Sequence, residues 1–544
     1  VINGMNATSN PVNLYGIEIA STGATVNNNT IRNLTNGGLT SSGNTHGIRV
    51  TGAGAQNVNN NEISVLRGAG TQSSYGTSAA VAGIVLSNSS ITASSVSNNT
   101  IFNLTQNAGI GNSAKIIGIS FAAGANVNHT VNANTIYGFN SIENSAGIEH
   151  VGIEIGSTSG AMRVSNNMIR LGRIADGTEF TNSSSIVGIL DQSNTAQNIW
   201  FNTVLIDGTV GTGSAQNTFA YRRTVNTGAD NIRNNIFANN RSGGAFGSRH
   251  YAWASNTLGG LSAAAFDNNI FYSNEGNEFS IAATPANLSA NPSAALRLQA
   301  LRGNVGLPGN NLRSGIANLT QINFINSGGA TPNLRLNDDN CAAGAGAAIA
   351  AVTTDIDGIV TRASLPAIGA HESTTFNAIA TGYDIYTPIV SVSSVPTLTA
   401  ACGSEQTVLI NATVTDIGLG VASGSLQPTL WWRLSTGTYA SEAPISQAGN
   451  VYTFELNLTG ITAGQTYHYY VTAQDNESPS NIFYSNFNAT TPIHADVATM
   501  ASPINGNPAT FSVTGTNPLS GTIAIGGTIQ PGEVVGETWF SSLT

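Results

Sequence analysis

Charge is scarce in this sequence. Lys and Arg together number 18 and Asp and Glu 28, so charged residues make up 8% of 544 positions, against about 25% in an average soluble domain. Lys115 is the one lysine. The net charge of −10 excludes the basic footprint that nucleic-acid binding uses to neutralise phosphates. Hydrophobic residues still make up 40%, which excludes a disordered chain, because disorder pairs low hydrophobicity with high net charge. Long apolar runs are missing too. None reaches the ~18–20 residues of a membrane helix, so no membrane insertion is expected. The two cysteines, Cys341 and Cys402, are too few for a disulfide framework or a four-thiolate zinc site, and they read as buried thiols. No basic and apolar leader opens at Val1. The seven histidines show no H-x-x-x-H spacing. Nucleophile-elbow, P-loop and dinucleotide motifs are missing from suitable contexts, so the motifs predict no metal and no cofactor.

Asparagine, by contrast, is abundant and unevenly placed. The first 350 residues hold 55 and the last 194 hold 11, which sets a module boundary near residue 375. Within the Asn-rich part a V-x-x-N-x-I pattern recurs, as V-N-N-N-E-I at 58–63, V-S-N-N-T-I at 96–101 and V-N-A-N-T-I at 131–136. Its key asparagines are Asn29, Asn61, Asn99, Asn134, Asn167, Asn202, Asn235 and Asn269, in steps of 32, 38, 35, 33, 35, 33 and 34. A second, G-I-x-I-like pattern starts at Gly16, Gly47, Gly83, Gly118, Gly152 and Gly188, with Ala220 and Ala252 in its last two slots. Two independent anchors sharing one period mark a repeat architecture.

Each unit holds two short stretches of period-2 alternation rich in Ile and Val, separated by Gly, Asn, Ser and Thr. No helical stripe is long enough for a helix-pair solenoid, and the leucine spacing does not fit a leucine-rich repeat. The pattern predicts an all-β chain wound as a parallel β-helix, in which each coil buries its apolar face by stacking on the next. Ile17, Ile48, Ile84, Ile119, Ile153 and Ile189 are expected to form one inward ladder. Ile31, Ile63, Ile101, Ile136, Ile169 and Val204 are expected to form another. The key asparagines are expected at the strand-to-strand corners, since Asn tolerates the left-handed conformation. Their amides would bond their own copies one coil away, at the ~4.8 Å inter-strand spacing. N-x-[ST] sequons such as Asn28-Asn29-Thr30 read as consequences of the repeat.

These repeats resemble the right-handed parallel β-helix repeats of pectate-lyase-like and bacterial surface proteins. Residues 333–372 strengthen the likeness. D-I-D-G at 355–358, Arg362 and P-A-I-G-A-H-E at 366–372 are similar to the D-x-D-G…R…I-G-A-x-E closing segment of many bacterial secreted β-helix proteins. The likeness covers roughly residues 1–375 and implies a β-helix that closes through Asp355, Asp357 and Arg362. One of the two aspartates is expected to pair with Arg362 and fix the closing turn.

From Tyr383 the texture changes. Strand-like runs at 388–393, 406–414, 429–434, 451–457 and 467–474, with turn signals between them, predict a β-sandwich over 383–497. G-Q-T-Y-H-Y-Y-V-T-A-Q-D at 464–475 is similar to the sixth strand of fibronectin type III-like or Ig-like modules. That likeness implies a buried corner tyrosine at Tyr467 or Tyr469 and a core tryptophan at Trp431 or Trp432. Residues 498–544 read as a linker and the start of a further β-module. There N-P-L-S-G-T-I-A-I-G-G at 517–527 resembles the opening of another β-helix module in large Bacteroidetes cell-surface proteins, which leave the cell by the type 9 secretion route. The likeness implies an outer-surface, extracellular location, contact with the secretion machinery, and neighbouring modules of a longer chain of which this is a piece.

Enzymes of the pectate-lyase-like class work on the outside of the helix and need clustered carboxylates; glycosidases need two at a set separation. The third position of the G-I-x-I strand points away from the core. Down the coils it reads Glu18, Arg49, Val85, Ser120, Glu154, Leu190, Arg222 and Ala254. No two carboxylates are adjacent there, which weighs against an enzyme. Glu18 and Arg49 are expected to form a salt bridge between coils, worth little. The fourth, inward position reads Ile19, Val50, Leu86, Phe121 and Ile155, then Asp191, Arg223 and Ser255. Two readings stay open for this acid and base. Either they form a compensated pair or are turned outward by a bulge, or they belong to a polar site on the sixth to eighth coils. The other members of that site would be Trp200, Tyr221, Arg222, Arg241, Arg249, His250, Tyr251 and Trp253, whose aromatic faces suit sugar rings. Calcium could bind through oxygen ligands at Asp338, Asp339, Asp355 or Asp357, although D-I-D-G lacks the full EF-hand loop. The expected function is a non-catalytic extracellular adhesin or structural module presenting a rod to a polysaccharide or other surface ligand. A polysaccharide lyase or hydrolase and a filament subunit are the alternatives.

Overall fold

The computed structural model describes residues 1–8, 12–37, 43–107, 113–124, 129–156, 160–211, 216–225, 230–245, 248–256, 265–274, 279–281, 314–376, 388–393, 395, 397–400, 404–416, 420–476, 482–484 and 509–515. The chain divides into two compact units, 1–386 and 387–544.

The first unit is a parallel β-solenoid of about seven turns. Three parallel sheets form its walls. A 9-stranded sheet stacks Leu14–Ile19, Thr45–Val50, Val81–Asn88, Ala114–Ala123, Ile148–Ile155, Ser185–Asp191, Thr218–Arg223, His250–Ser255 and Phe279–Ile281 in chain order. An 8-stranded sheet holds short strands such as Asn57–Asn59, Ser95–Ser97 and His129–Asn132. A 12-stranded sheet holds Thr30–Asn36, Glu62–Gly68, Thr100–Gln106 and their successors as far as Gly315–Ile316.

In-phase apolar residues set the register. Ile48 pairs with Ile84, Ile84 with Ile119, Ile119 with Ile153 and Ile153 with Ile189, and all five are fully buried. A slip of one residue would turn that whole row outward. The second expected ladder, from Ile31 to Val204, is also present. The first ladder continues into aromatic residues, Ile189 to Tyr221 to Trp253. The glycine column lets the two ladders approach. A Cβ on Gly118 would lie 2.8 Å from Ile136 Cγ2 and 2.5 Å from the Gly152 carbonyl oxygen, closer than any side chain tolerates.

Past residue 314 the chain forms a short helix, Leu319–Ile322, capped by Asn318, and an antiparallel ribbon of Phe324–Asn326 with Asn333–Leu336. It then returns along the outside of the solenoid. Ile322, Leu334, Leu336, Ala342, Ile356 and Ile368 cover the outward side chains Met168, Leu205, Ile236 and Ile270. Burying each such side chain stabilises by about 1.5–3 kcal/mol. Cys341 is a free, buried thiol in this layer, and burial pushes its pKa up. Cys402 lies outside the described residues.

The second unit is all-β. A four-stranded antiparallel sheet is built on Ser404–Thr415 and Val451–Ile461. A six-stranded sheet is built on Thr466–Gln474 and Thr429–Leu434. Their inward residues, including Ile410, Phe454, Leu430, Val471 and Phe511, form one core. Tyr467 and Tyr469 both belong to it, and the Tyr469 hydroxyl donates to the Ser393 carbonyl at 3.3 Å. Alternation along the strand separates the tryptophans. Trp432 packs against the core with Leu430, whereas Trp431 donates its Nε1 to the Thr472 hydroxyl at 3.0 Å. Ala509–Gly515, in the stretch read as linker, pairs with Thr466–Gln474 and with Leu398–Ala400. The 517–527 motif lies outside the described residues.

Candidate functional site

The asparagine column is a continuous, directional chain of hydrogen bonds. Each ladder Asn donates its backbone N–H and its Nδ2 to the Oδ1 of the next. From Asn61 to Asn99 the distances are 2.9 and 3.0 Å, and from Asn99 to Asn134 they are 3.0 and 2.9 Å. The same double bond links Asn29 to Asn61, Asn134 to Asn167, Asn167 to Asn202, Asn202 to Asn235 and Asn235 to Asn269. Asn269 donates its N–H to the Ser314 hydroxyl at 3.0 Å. Ser314 ends the column 45 residues downstream, a step the repeat spacing does not reveal. From Asn61 onward, Nδ2 also reaches a carbonyl one coil back, as from Asn99 to Val58 at 2.8 Å.

The left-handed corner is not the ladder asparagine but the residue before it. Asn28, Asn60, Asn98, Ala133, Asn166, Phe201, Asn234 and Asn268 have φ between 52° and 60°. Corner and ladder are adjacent positions with separate roles. The ladder amide must face its copy, and a left-handed backbone would turn it away.

Asp191 and Arg223 follow the first of their two readings, a compensated pair inside the solenoid. Their side chains are 0% and 4% exposed, with Nη1 2.5 Å from Oδ2. Asp230 joins them: Arg223 and the Tyr221 hydroxyl both donate to it. Burial, reinforced by Asp230, drives the Asp191 pKa well up. Ser193 and Gln197 complete the network. Asp230, Ser193 and Gln197 lie outside the repeat slots, so periodicity did not point to them. The other members of the expected polar site are dispersed. Trp253 is in the core, 6.5 Å from Tyr221 ring to ring. Trp200 lies on the 8-stranded sheet, packed with Ile349 and Val352. Arg241 is fully buried, donating to the carbonyls of Phe180, Asn182 and Asp207. His250 is buried beside Thr218, and Arg249 is exposed. Arg222 and Tyr251 share one neighbour on the outer face of the 9-stranded sheet: both flank Phe219, the guanidinium 4.7 Å from its ring and Tyr251 stacked on it at 5.5 Å.

The same outer face carries a cluster of which the third-position column contains only Ser120 and Glu154. Tyr75 comes from the segment before Val81–Asn88 and packs over Ala82, Val85, Ile117 and Val151. Its hydroxyl donates to Glu149 Oε2 at 2.5 Å. Lys115 reaches the same oxygen at 2.9 Å and lies 4.8 Å from the Tyr75 ring. Glu154, on the strand with Glu149, accepts from Ser120. The two carboxylates are 5% and 1% exposed. Burial pushes Glu154 up to about 7, against the lowering bond from Ser120. Glu149 precedes the G-I-x-I slot, so the column omits it. The alternation in I-E-H-V-G-I-E-I, broken at Gly152, is the signal that both glutamates face out. Nearer the first coil, Glu18 and Arg49 form the expected ion pair at 2.5 Å.

The closing segment pairs differently from the expectation. Arg362 meets Glu372 at 3.7 Å, not Asp355 or Asp357, and donates to Asn166 Oδ1 at 2.7 Å and to the Gly369 and Ala370 carbonyls. Asp357 is held by both arms of Arg335, a bond that lowers its pKa. Asp355 instead caps local backbone, accepting the N–H of Asp357 and of Glu372. Glu372 is the last residue of the same closing segment, whereas Asn166 lies 196 residues upstream; the D-x-D-G aspartates are taken up by Arg335 and by local backbone. Asp355, Asp357 and His371 each place a ligand atom within 4.8 Å of the others. Arg335 already supplies the positive charge at Asp357, and His371 Nδ1 accepts the Leu336 N–H at 3.1 Å, so the trio is engaged as a protein-internal network. Asp338 and Asp339 are exposed.

No family model matches this chain, and neither a curated protein nor a solved structure matches it. No helix among the described residues is long and apolar enough to cross a membrane.

Proposed function

We propose that this chain is a non-catalytic module of a larger extracellular bacterial surface protein. Its right-handed β-helix presents long outer faces to a polysaccharide or another surface ligand, and an Ig- or fibronectin III-like sandwich follows as a spacer. The observation that carries this reading is the unbroken amide column from Asn29 to Ser314. It fixes coil to coil with neutral groups throughout. Buried charges such as Arg223, Arg241 and Arg362 are engaged in internal contacts, which leaves a polar, weakly charged exterior suited to hydrogen bonding. The likeness of 333–372 to bacterial secreted β-helix proteins supports the extracellular location, and that of 517–527 to Bacteroidetes cell-surface proteins supports the type 9 route. The test is binding of the purified chain to a panel of neutral and anionic polysaccharides, with product analysis. Saturable binding without new reducing ends or unsaturated sugars supports the reading; turnover overturns it.

A second reading, a carbohydrate-cleaving enzyme, is favoured by one observation. Glu149, paired with Lys115, and Glu154, with its pKa raised to about 7, share one face of one strand. Carboxyl groups in such contrasting surroundings suit acid–base roles. Turnover by the chain that is lost in Glu154→Gln would establish it.

A further inference from the structure

The left-handed corners serve a second purpose. On the later coils they hold the returning chain. Asn268 Nδ2 donates to the Ala345 carbonyl at 2.9 Å. Asn234 donates to the Ala347 carbonyl at 2.8 Å and accepts the Ala347 N–H at 2.9 Å. Phe201 packs with Ile349 and Val352. Asn166 donates to the Thr354 carbonyl at 3.0 Å, and Ala133 shares a cluster with Ile356. Segment 345–356 thus runs down the corner row against the order of the coils, advancing two residues per coil over its first three contacts. These corners are 7% exposed or less.

The same row continues upstream as Asn98, Asn60 and Asn28, with φ of 56°, 56° and 57°. These three are exposed, and their side-chain amides bond to no described residue. Beside them runs a second amide row: Asn27 Oδ1 accepts the Asn59 N–H at 3.2 Å, and Asn59 Oδ1 accepts the Ser97 N–H at 3.0 Å.

We infer that Asn28, Asn60 and Asn98 form a docking track for an extended polypeptide segment of a partner. The occupant is a peptide main chain because the same corner, in the same conformation, holds one downstream, and the track is continuous with that interface. Its side chains are small, because Ala345 and Ala347 are the residues held at the asparagine corners Asn268 and Asn234. Its charge is immaterial, because the row is neutral. This inference is independent of where the module resides and of whether it binds sugars.

The probe is a labelled synthetic peptide of residues 342–354, titrated into the whole chain and followed by fluorescence anisotropy. Saturable binding is expected, weakened on the order of tenfold or more by the double change Asn60→Gly with Asn98→Gly, which removes two hydrogen bonds. Glycine keeps the positive φ, and an unchanged circular-dichroism spectrum verifies folding. Asn103→Gly, the same change at a different left-handed turn, is expected to leave binding within twofold. No binding, or equal binding to the double variant, overturns the inference. So does displacement of the bound peptide by a neutral oligosaccharide whose own binding needs Asn60 and Asn98.

Discussion

Asn99 Oδ1 accepts both the backbone N–H and the Nδ2 of Asn61, at 2.9 and 3.0 Å. One side-chain oxygen thus satisfies two donors that are buried on the preceding coil. Asn99→Ala strands the Asn61 N–H and frees the Val58 carbonyl from its 2.8 Å partner. Each buried polar group left unpaired costs about 1–3 kcal/mol, so a loss of about 2–4 kcal/mol is expected in urea unfolding. Asn98→Ala, one residue away, meets only the left-handed strain, about 1–2 kcal/mol. Ala133 already adopts that corner conformation. Equal losses at the two positions would contradict the division between corner and ladder.

Arg223→Met is expected to destabilise by about 3–5 kcal/mol, the usual consequence of leaving buried charge without its partner. Two carboxylates, Asp191 and Asp230, would then face each other at 0% and 1% exposure. The triple change of Arg223, Asp191 and Asp230 to apolar residues is expected to recover much of that loss. Chemical denaturation of both variants checks this.

Glu154 makes stability depend on pH. Its folded pKa, about 7, lies above the ordinary carboxyl value of ~4.3. The folded state therefore holds the proton more tightly than the unfolded one. The stability that this provides is complete below pH ~4.3 and is lost as pH rises toward about 7. Asp191, also raised, acts in the same direction. Glu154→Gln is expected to flatten this part of the profile. Thermal melting measured from pH 4 to 8 gives the answer, and an unchanged slope in the variant would refute it.

The two arginines of the closing segment should behave differently. Arg362 is 3% exposed at its side chain and lies 3.8 Å from the Phe201 ring centroid. Arg362→Ala is expected to loosen 345–372 and admit protease there. The Arg335 and Asp357 side chains are 33% and 34% exposed, so Asp357→Asn is expected to cost no more than ~1 kcal/mol. Limited proteolysis with mass mapping distinguishes the two.

The solenoid was legible because period and alternation are written locally and repeated. Each Ile of the two ladders sits in a slot that recurs every thirty-odd residues. The corner was misplaced by one residue because corner and ladder are both asparagine in Asn28-Asn29, Asn60-Asn61 and Asn98-Asn99. V-N-A-N-T-I and I-W-F-N-T-V, where Ala133 and Phe201 take the first of the two places, hold the clue to which one carries the amide chain. Partnerships between distant segments were not legible. Asn166 reaches Arg362, and Tyr75 reaches Glu149, through folding that no local pattern records.

The return of segment 345–356 across the corners from Asn268 to Ala133 has a mechanical consequence. Tension applied along the winding axis passes through every coil-to-coil seam in series, while the three sheets and the amide column share it in parallel within each seam. Adding coils would extend reach without raising the breaking force. The returning segment acts as a splint across the later seams, so rupture under load should begin among the coils of Asn28, Asn60 and Asn98, where no such brace is seen among the described residues.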